Sequence, residues 1–269
     1  MNKFSRSNDL EHATKILYEL FVGLSETNAP MENAIRTIFW IAKALILRLW
    51  SLNDVLERLL ALLPKDNYGA AAARGFRLLF APDEMLSKEN GATVRLLAKQ
   101  KVFSSCIPRI AKDFRAADNS VKQNFLVAMS GILKFMPTQV IMQETDSILP
   151  LLLQSLDLED ADVKAATIQT LAVISAESPG AVESHISSIV KRLLKSASNA
   201  QSNGPIVRLN ALKCLKIFPG RVKDSALLPH RNAVTRGLTA PLDDPKRDVR
   251  KEAVECRTAW LNMDEPDSD

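Results

Sequence analysis

VRLNALKCLKIF, residues 207–218, is one of four related stretches in the chain. The others are VKQNFLVAMSGI from Val121, VKAATIQTLAVI from Val163 and VRKEAVECRTAW from Val249. Each opens on a valine followed by a basic residue, and the starts lie 42, 44 and 42 residues apart. Apolar residues recur in them at intervals of three and four, the spacing that lines one face of an α-helix. Each is preceded by a second helical pattern: SSCIPRIAKDF at 104–114, SILPLLLQSL at 147–156, HISSIVKRLL at 185–194 and LLPHRNAVTRGL at 227–238. Three of these carry an apolar-Pro pair, Ile107-Pro108, Leu149-Pro150 and Leu228-Pro229, expected in the first helical turn, where proline forfeits no intrahelical donor. Pro137, Pro179 and Pro219 follow the second helices and are expected to stop them.

A two-helix unit iterated every 40 to 47 residues is the signature of a HEAT-type solenoid. The expected fold is therefore all-α, a HEAT-repeat α-solenoid of about six helix pairs at about 9–50, 54–80, 104–136, 146–177, 185–218 and 227–262, with an acidic tail at 263–269. The whole chain, 1–269, reads as a single array. GATVRLLAKQKVF at 91–103 is surplus to the period and is expected to form an inserted helix, while SASNAQSNG at 196–204 reads as a polar loop within a repeat.

Composition is consistent with such an array. Of 269 residues 46% are hydrophobic, enough to bury a large core. The 35 basic and 31 acidic residues leave a net charge of +4, too small and too dispersed to announce a nucleic-acid or membrane surface. Cys106, Cys214 and Cys256 are widely spaced, which fits a reducing compartment better than a disulfide framework. The most apolar run, IFWIAKALILRLW at 38–50, is interrupted by Lys43 and Arg48, and MNKFSRSNDL lacks the apolar stretch of a secretory signal. A soluble intracellular protein is expected.

The repeat frame assigns roles. Counting each valine as zero, positions four and five are Phe125 and Leu126, Thr167 and Ile168, Ala211 and Leu212, Ala253 and Val254, all expected in the core. Each large aliphatic there contributes about 1.5 to 3 kcal/mol on burial. Position one is basic in every repeat: Lys122, Lys164, Arg208 and Arg250. This ladder could follow the phosphates of a nucleic acid. It could instead pair with aspartates at the inter-helix turns, such as Asp118, Asp160, Asp162 or Asp248, in half-exposed contacts of at most about 1 kcal/mol each. Asp157, Glu159, Asp160 and Asp162 read as a solvated, N-capping loop. Cys214 and Cys256 share position seven with Ala128 and Thr170, so they are expected to pack. No metal-ligand spacing, nucleophile elbow or phosphate loop is present in the sequence, and neither a cofactor nor catalysis is expected.

The last repeat departs from the others. Position eight is Met129, Leu171 and Leu215 in three repeats but Arg257 in the fourth, and position eleven changes from Ile132, Ile174 and Phe218 to Trp260. Two compatible readings follow: a polar face that caps the stack, or a docking surface in which Lys246, Arg247, Arg250, Lys251 and Arg257 frame Trp260.

PLDDPKRDVRKEAVECRTAW at 241–260 resembles the C-terminal repeat of the MMS-nineteen family, the HEAT-repeat scaffold of the cytosolic iron-sulfur protein assembly (CIA) machinery. AKALILR at 42–48, AAARGFRLLF at 71–80 and LPLLLQSL at 149–156 extend the similarity, which weakens before about position 32. The resemblance implies a non-catalytic adaptor, cytoplasmic and nuclear, that forms the C-terminal part of a longer scaffold. Its implied partners are a WD-repeat propeller and a small MIP-type subunit of the CIA targeting complex, and iron-sulfur apo-proteins such as DNA helicases, polymerases and primase. A nucleic-acid-binding protein or DNA glycosylase using the basic ladder is the alternative.

Overall fold

A computed structural model describes residues 7–26, 32–198 and 201–263 of the chain. The acidic stretch from Asp264 lies outside the described residues. Among those described, fifteen α-helices and one 3-10 turn occur and no strand. Two compact units divide the chain, one reaching Ser147 and the other beginning at Ile148.

The first unit holds α1 (Ser7–Glu26), α2 (Glu32–Ile46), α3 (Leu52–Leu60), α4 (Gly69–Phe80), α5 (Ala98–Ala116), α6 (Asn119–Leu133) and the short α7 (Thr138–Met142). Helices α2, α4 and α6 lie side by side in chain order, α1 packs on α2, and α5 packs on α3 and α6. Close approach of α2 and α4 depends on Gly75, where an added Cβ would come within 2.4 Å of the Phe39 ring. Phe39 and Phe76 meet edge to face there, with centroids 5.3 Å apart, a geometry favoured by the ring quadrupoles.

The interrupting Lys43 is buried, and its ammonium donates to Ala81 O at 2.7 Å, just past the end of α4. Lys99 Nζ donates to Phe80 O at 2.7 Å. Two cations therefore sit at the negative end of one helix, where the last carbonyls have no helical donor. Asn124 of α6 works similarly, its buried amide donating to Leu63 O at 2.9 Å.

The inserted helix expected at 91–103 is not formed as such. Residues 93–97 are non-helical, and helix begins only at Ala98, running without a break through the segment expected to start at 104. Consequently Pro108 lies inside α5 and not in its first turn. Pro150 and Pro229 are likewise internal to their helices. In each case the carbonyl deprived of its donor belongs to an exposed residue, Ser104, Asp146 or Ser225, so water can replace the lost bond.

The boundary falls within α8 (Thr145–Ser155). Beyond it come α9 (Ala161–Glu177), α10 (Pro179–Glu183), α11 (Ile186–Ser198), α12 (Pro205–Ile217), α13 (Asp224–Gly237), α14 (Thr239–Leu242) and α15 (Arg247–Leu261). Helices α9, α12 and α15 stack in chain order, and α11 and α13 form a second layer against them. This is the expected two-layer helical solenoid packing, seen within the unit. Pro179 opens α10 and Pro219 lies in the 3-10 turn that ends α12, as the stop signals imply. Asp160 caps α9 by accepting from Val163 N at 3.0 Å.

Cys214 and Cys256 are buried among these helices, as is Cys106 in the first unit. Burial pushes the Cys256 and Cys106 thiols up to about 12 and raises Cys214 as well. All three are packing residues in their protonated, poorly nucleophilic form.

A basic face on the last helix

Helix α15 is placed by the turn before it. Asp244 is buried there and accepts both forks of the equally buried Arg208 side chain, at 2.6 Å from Nε and 2.9 Å from Nη2. The same carboxylate accepts from Lys246 N at 2.8 Å, and Asp244 O accepts from Arg250 Nη1 at 2.7 Å. Burial alone would raise the Asp244 carboxyl. The Arg208 hydrogen bonds, the Lys246 N–H and the charges of Arg208 and Arg250 outweigh it and hold the carboxyl below its ordinary 3.8.

The position-one ladder is not uniform: Arg208 pairs with an aspartate of an inter-helix turn, as one reading expects, whereas Lys122, Lys164 and Arg250 end on amide or backbone oxygens. The Arg208 pair differs from the half-exposed contacts expected in being buried, since Arg208 is only 3% exposed where it reaches Asp244. Lys164 Nζ donates to Asn203 Oδ1 at 3.0 Å. The polar loop before α12 therefore carries a structural anchor, because Asn203 is buried and its carbonyl also accepts from Arg208. Lys122 donates to Asn119 within its own helix at 3.2 Å, and Arg250 reaches backbone carbonyls.

The inner face of α15 buries Val249, Glu252, Ala253, Cys256 and Trp260. Trp260 is fully buried, which corrects its expected place in a docking surface. Its indole N–H donates to Leu215 O at 2.9 Å, and the ring meets Phe218 edge to face at 6.5 Å. The tryptophan fills the core position that isoleucine or phenylalanine holds in the other repeats. Val254, expected in the core, is 54% exposed.

That reversal follows from the register. Positions one, five and eight of α12 are Arg208, Leu212 and Leu215, all buried beside α15. The same positions in α15 are Arg250, Val254 and Arg257, all exposed, and among the described residues no later helix covers them. At 100° per residue, Arg247, Arg250, Lys251, Val254, Arg257, Thr258 and Leu261 fall within an arc of about 120°. Leu261, 48% exposed, lies two turns beyond Val254. The acidic residues flank this arc. Glu255 pairs with Lys216 at 2.8 Å, and the buried Glu252 also contacts Lys216. Of the expected docking residues, Lys246, Arg247, Arg250, Lys251 and Arg257 are exposed as required. The repeat pattern hides the apolar pair Val254 and Leu261, although a helical wheel confined to 247–261 would have placed both with the arginines.

A family described as "RNAPII transcription regulator C-terminal", the MMS19 C-terminal family, matches residues 1–219. The match starts at the first residue, where the similarity was expected to be weakest. The mouse "MMS19 nucleotide excision repair protein homolog" is 35% identical over 256 residues, covering 93% of this chain and 24% of its own length. The Xenopus laevis homologue is 34% identical over 100% of this chain and 26% of its own. The fission yeast "DNA repair/transcription protein mms19" is 33% identical over 87% and 23%. The chain thus spans about a quarter of the length of these relatives.

Among solved structures, an engineered protein superposes with a TM-score of 0.62 at 20% identity, covering 94% of this chain and 96% of its own. A designed armadillo repeat protein reaches 0.58 at 18%, covering 86% and 93%. These likenesses establish a repeat solenoid. Fold and family are consistent with a non-catalytic protein, and the relatives are named for DNA repair and transcription. The chain belongs to the MMS19 family and corresponds to its C-terminal region.

Proposed function

We propose that the chain is a non-catalytic adaptor of the CIA targeting complex, and that the outer face of α15 docks one of the other subunits. The WD-repeat propeller and the small MIP-type subunit are the proposed partners, and delivery of iron-sulfur clusters to apo-proteins of DNA replication and repair is the proposed outcome, in cytoplasm and nucleus. One observation carries this reading. The face that α12 uses to hold the next repeat recurs on α15, uncovered among the described residues, with Val254 and Leu261 set among Arg247, Arg250, Lys251 and Arg257. Apolar anchors framed by arginine are the composition of interface hot spots.

The test is co-purification of the full chain with the two subunits, using Val254→Asp combined with Arg257→Glu. These side chains are exposed, so helicity and melting should stay near wild type while affinity falls by about tenfold or more. Undiminished capture by the double variant would remove α15 from the interface. Lack of capture by the wild-type chain would remove the CIA assignment.

A further inference from the structure

A second candidate surface lies in the first compact unit, built by the segment that exceeds the repeat period. Residues 93–97 are non-helical and end on Leu97, which takes φ 67° at the N-cap of α5. Leu49, after α2, has φ 58°. A left-handed backbone is disfavoured for a leucine, because its Cβ crowds the following carbonyl. Both backbones are nonetheless pinned. Arg95 N donates to Leu47 O at 2.7 Å, and Lys101 N donates to Leu97 O at 2.9 Å.

Exposed apolar side chains accompany this strain. Leu96 is 82% and Leu97 55% exposed, in a protein that buries most of its leucines. Leu97 borders two neighbouring grooves. One, of about 380 Å³, is walled by Val94, Leu96, Leu97, Phe135, Met136 and Val140. The other includes Leu49 and Leu52. Observed backbone strain that holds apolar side chains in solvent points to a binding role. The ionisable side chains lining the first groove are Lys88, Arg95 and Lys99, with no carboxylate among its lining residues.

We propose that this groove binds a short segment of another protein in which carboxylates flank leucine or phenylalanine. The apolar side chains of that segment enter between Leu96, Leu97 and Phe135, and its carboxylates meet Lys88 and Arg95. Charge complementarity selects this occupant over a basic or nucleic-acid ligand. The site is independent of the α15 face, so either proposal can fail without the other.

Fluorescence anisotropy on the full chain provides the test, with three labelled twelve-residue peptides as probes: one mixing aspartate and leucine, one lysine and leucine, one aspartate and glycine. The aspartate–leucine peptide should bind at least about tenfold more tightly than the other two. Leu96→Asp and Arg95→Glu should each weaken it by a similar factor. Leu97→Gly separates binding from folding, because glycine adopts positive φ freely; it should bind more weakly while melting no lower than wild type. Equal binding of aspartate–leucine and aspartate–glycine peptides, or no binding of either, would overturn the proposal. So would unchanged affinity in the variants. Sedimentation supplies the remaining outcome: a wild-type dimer converted to monomer by Leu96→Asp would make the occupant a second copy of this chain.

Discussion

The two compact units solve the same packing problem with different polar chemistry. In the first, the buried Lys43 and Asn124 and the half-buried Lys99 end on backbone carbonyls, those of Ala81, Leu63 and Phe80. In the second, Ser155, Thr170 and Ser175 also end on carbonyls, each of its own helix, but two cations reach side chains one repeat further along, Lys164 on Asn203 and Arg208 on Asp244. A carbonyl at a helix end is available whatever the sequence, so these three bonds need no matched partner side chain. The second unit depends on pairs of residues 36 to 39 positions apart.

Breaking the buried pair should have the largest effect. Asp244→Ala leaves the Arg208 guanidinium buried without its carboxylate and also removes the acceptor of Lys246 N. The expected loss is about 3 to 5 kcal/mol, read by urea unfolding of the full chain. Hydrogen exchange should show the loss in α12 and α15 before α2 or α4. A loss below about 1 kcal/mol, the scale of an exposed pair, would mean that Arg208 finds water and that the ladder is not what joins these repeats.

The carbonyl-directed bonds of the first unit should each matter less. Asn124→Ala deprives Leu63 O of its side-chain donor at a buried place, for an expected cost of about 1 to 3 kcal/mol. Gly69 is tied to the same site, since an added Cβ would meet Leu63 O at 2.5 Å and Asn124 Nδ2 at 2.7 Å. Gly69→Ala should therefore destabilise as well, and the double variant should cost less than the sum, because both act on one carbonyl.

The pH response sharpens the contrast. Asp244 has a carboxyl lowered below 3.8, so its contribution is complete above that pH and is lost as pH falls through the lower folded value. Burial lowers Lys43 below 10.5, with Asp83 opposing and Lys99 adding, and burial lowers Lys99 too. For these the unfolded chain binds more protons between the lowered folded value and 10.5, so stability rises with pH through that window and the gain is complete above 10.5. Asp244→Asn should flatten part of the acid loss, and Lys43→Met part of the alkaline gain. Unfolding free energies measured across pH for wild type and both variants check this; an unchanged alkaline slope in Lys43→Met would place the titration elsewhere.

How much was legible in the sequence follows the same division. Where the period is regular, valine, cation and aliphatic positions announced α9, α12 and α15 and most of their core, because a repeating pattern encodes repeating geometry. What the pattern could not encode is the identity of a partner lying in a loop. Asn203 sits in SASNAQSNG, which reads as a polar loop with nothing to mark a buried anchor, and Asp244 is one aspartate among several. Lys43 looked like an interruption of an apolar run, since nothing local reveals that a helix end lies opposite it. At 91–103 apolar spacing suggested helix throughout, but Arg95 is held to Leu47 O by a bond between distant backbone groups. Trp260 illustrates a different limit: its size suggested an interface anchor, although a larger side chain at a core register equally fills a core.

The smallest expected stability effect lies on the α15 face, and it decides between the two compatible readings of the last repeat. Val254 occupies the register of Leu126, Ile168 and Leu212, which are 3%, 0% and 0% exposed. A truncation at any of those three would open a cavity, whereas Val254 has water on its outer side. Val254→Ser should therefore change unfolding free energy by no more than about 0.5 kcal/mol, while weakening capture of the CIA subunits. If stability falls by 1 kcal/mol or more, this side chain is covered in solution and the face belongs to the fold. If stability and capture are both unchanged, the arginines and Val254 serve to keep the end of the stack wet. A drop in capture alone assigns the face to a partner, because a side chain that contributes nothing to folding can only act through what it touches outside the chain.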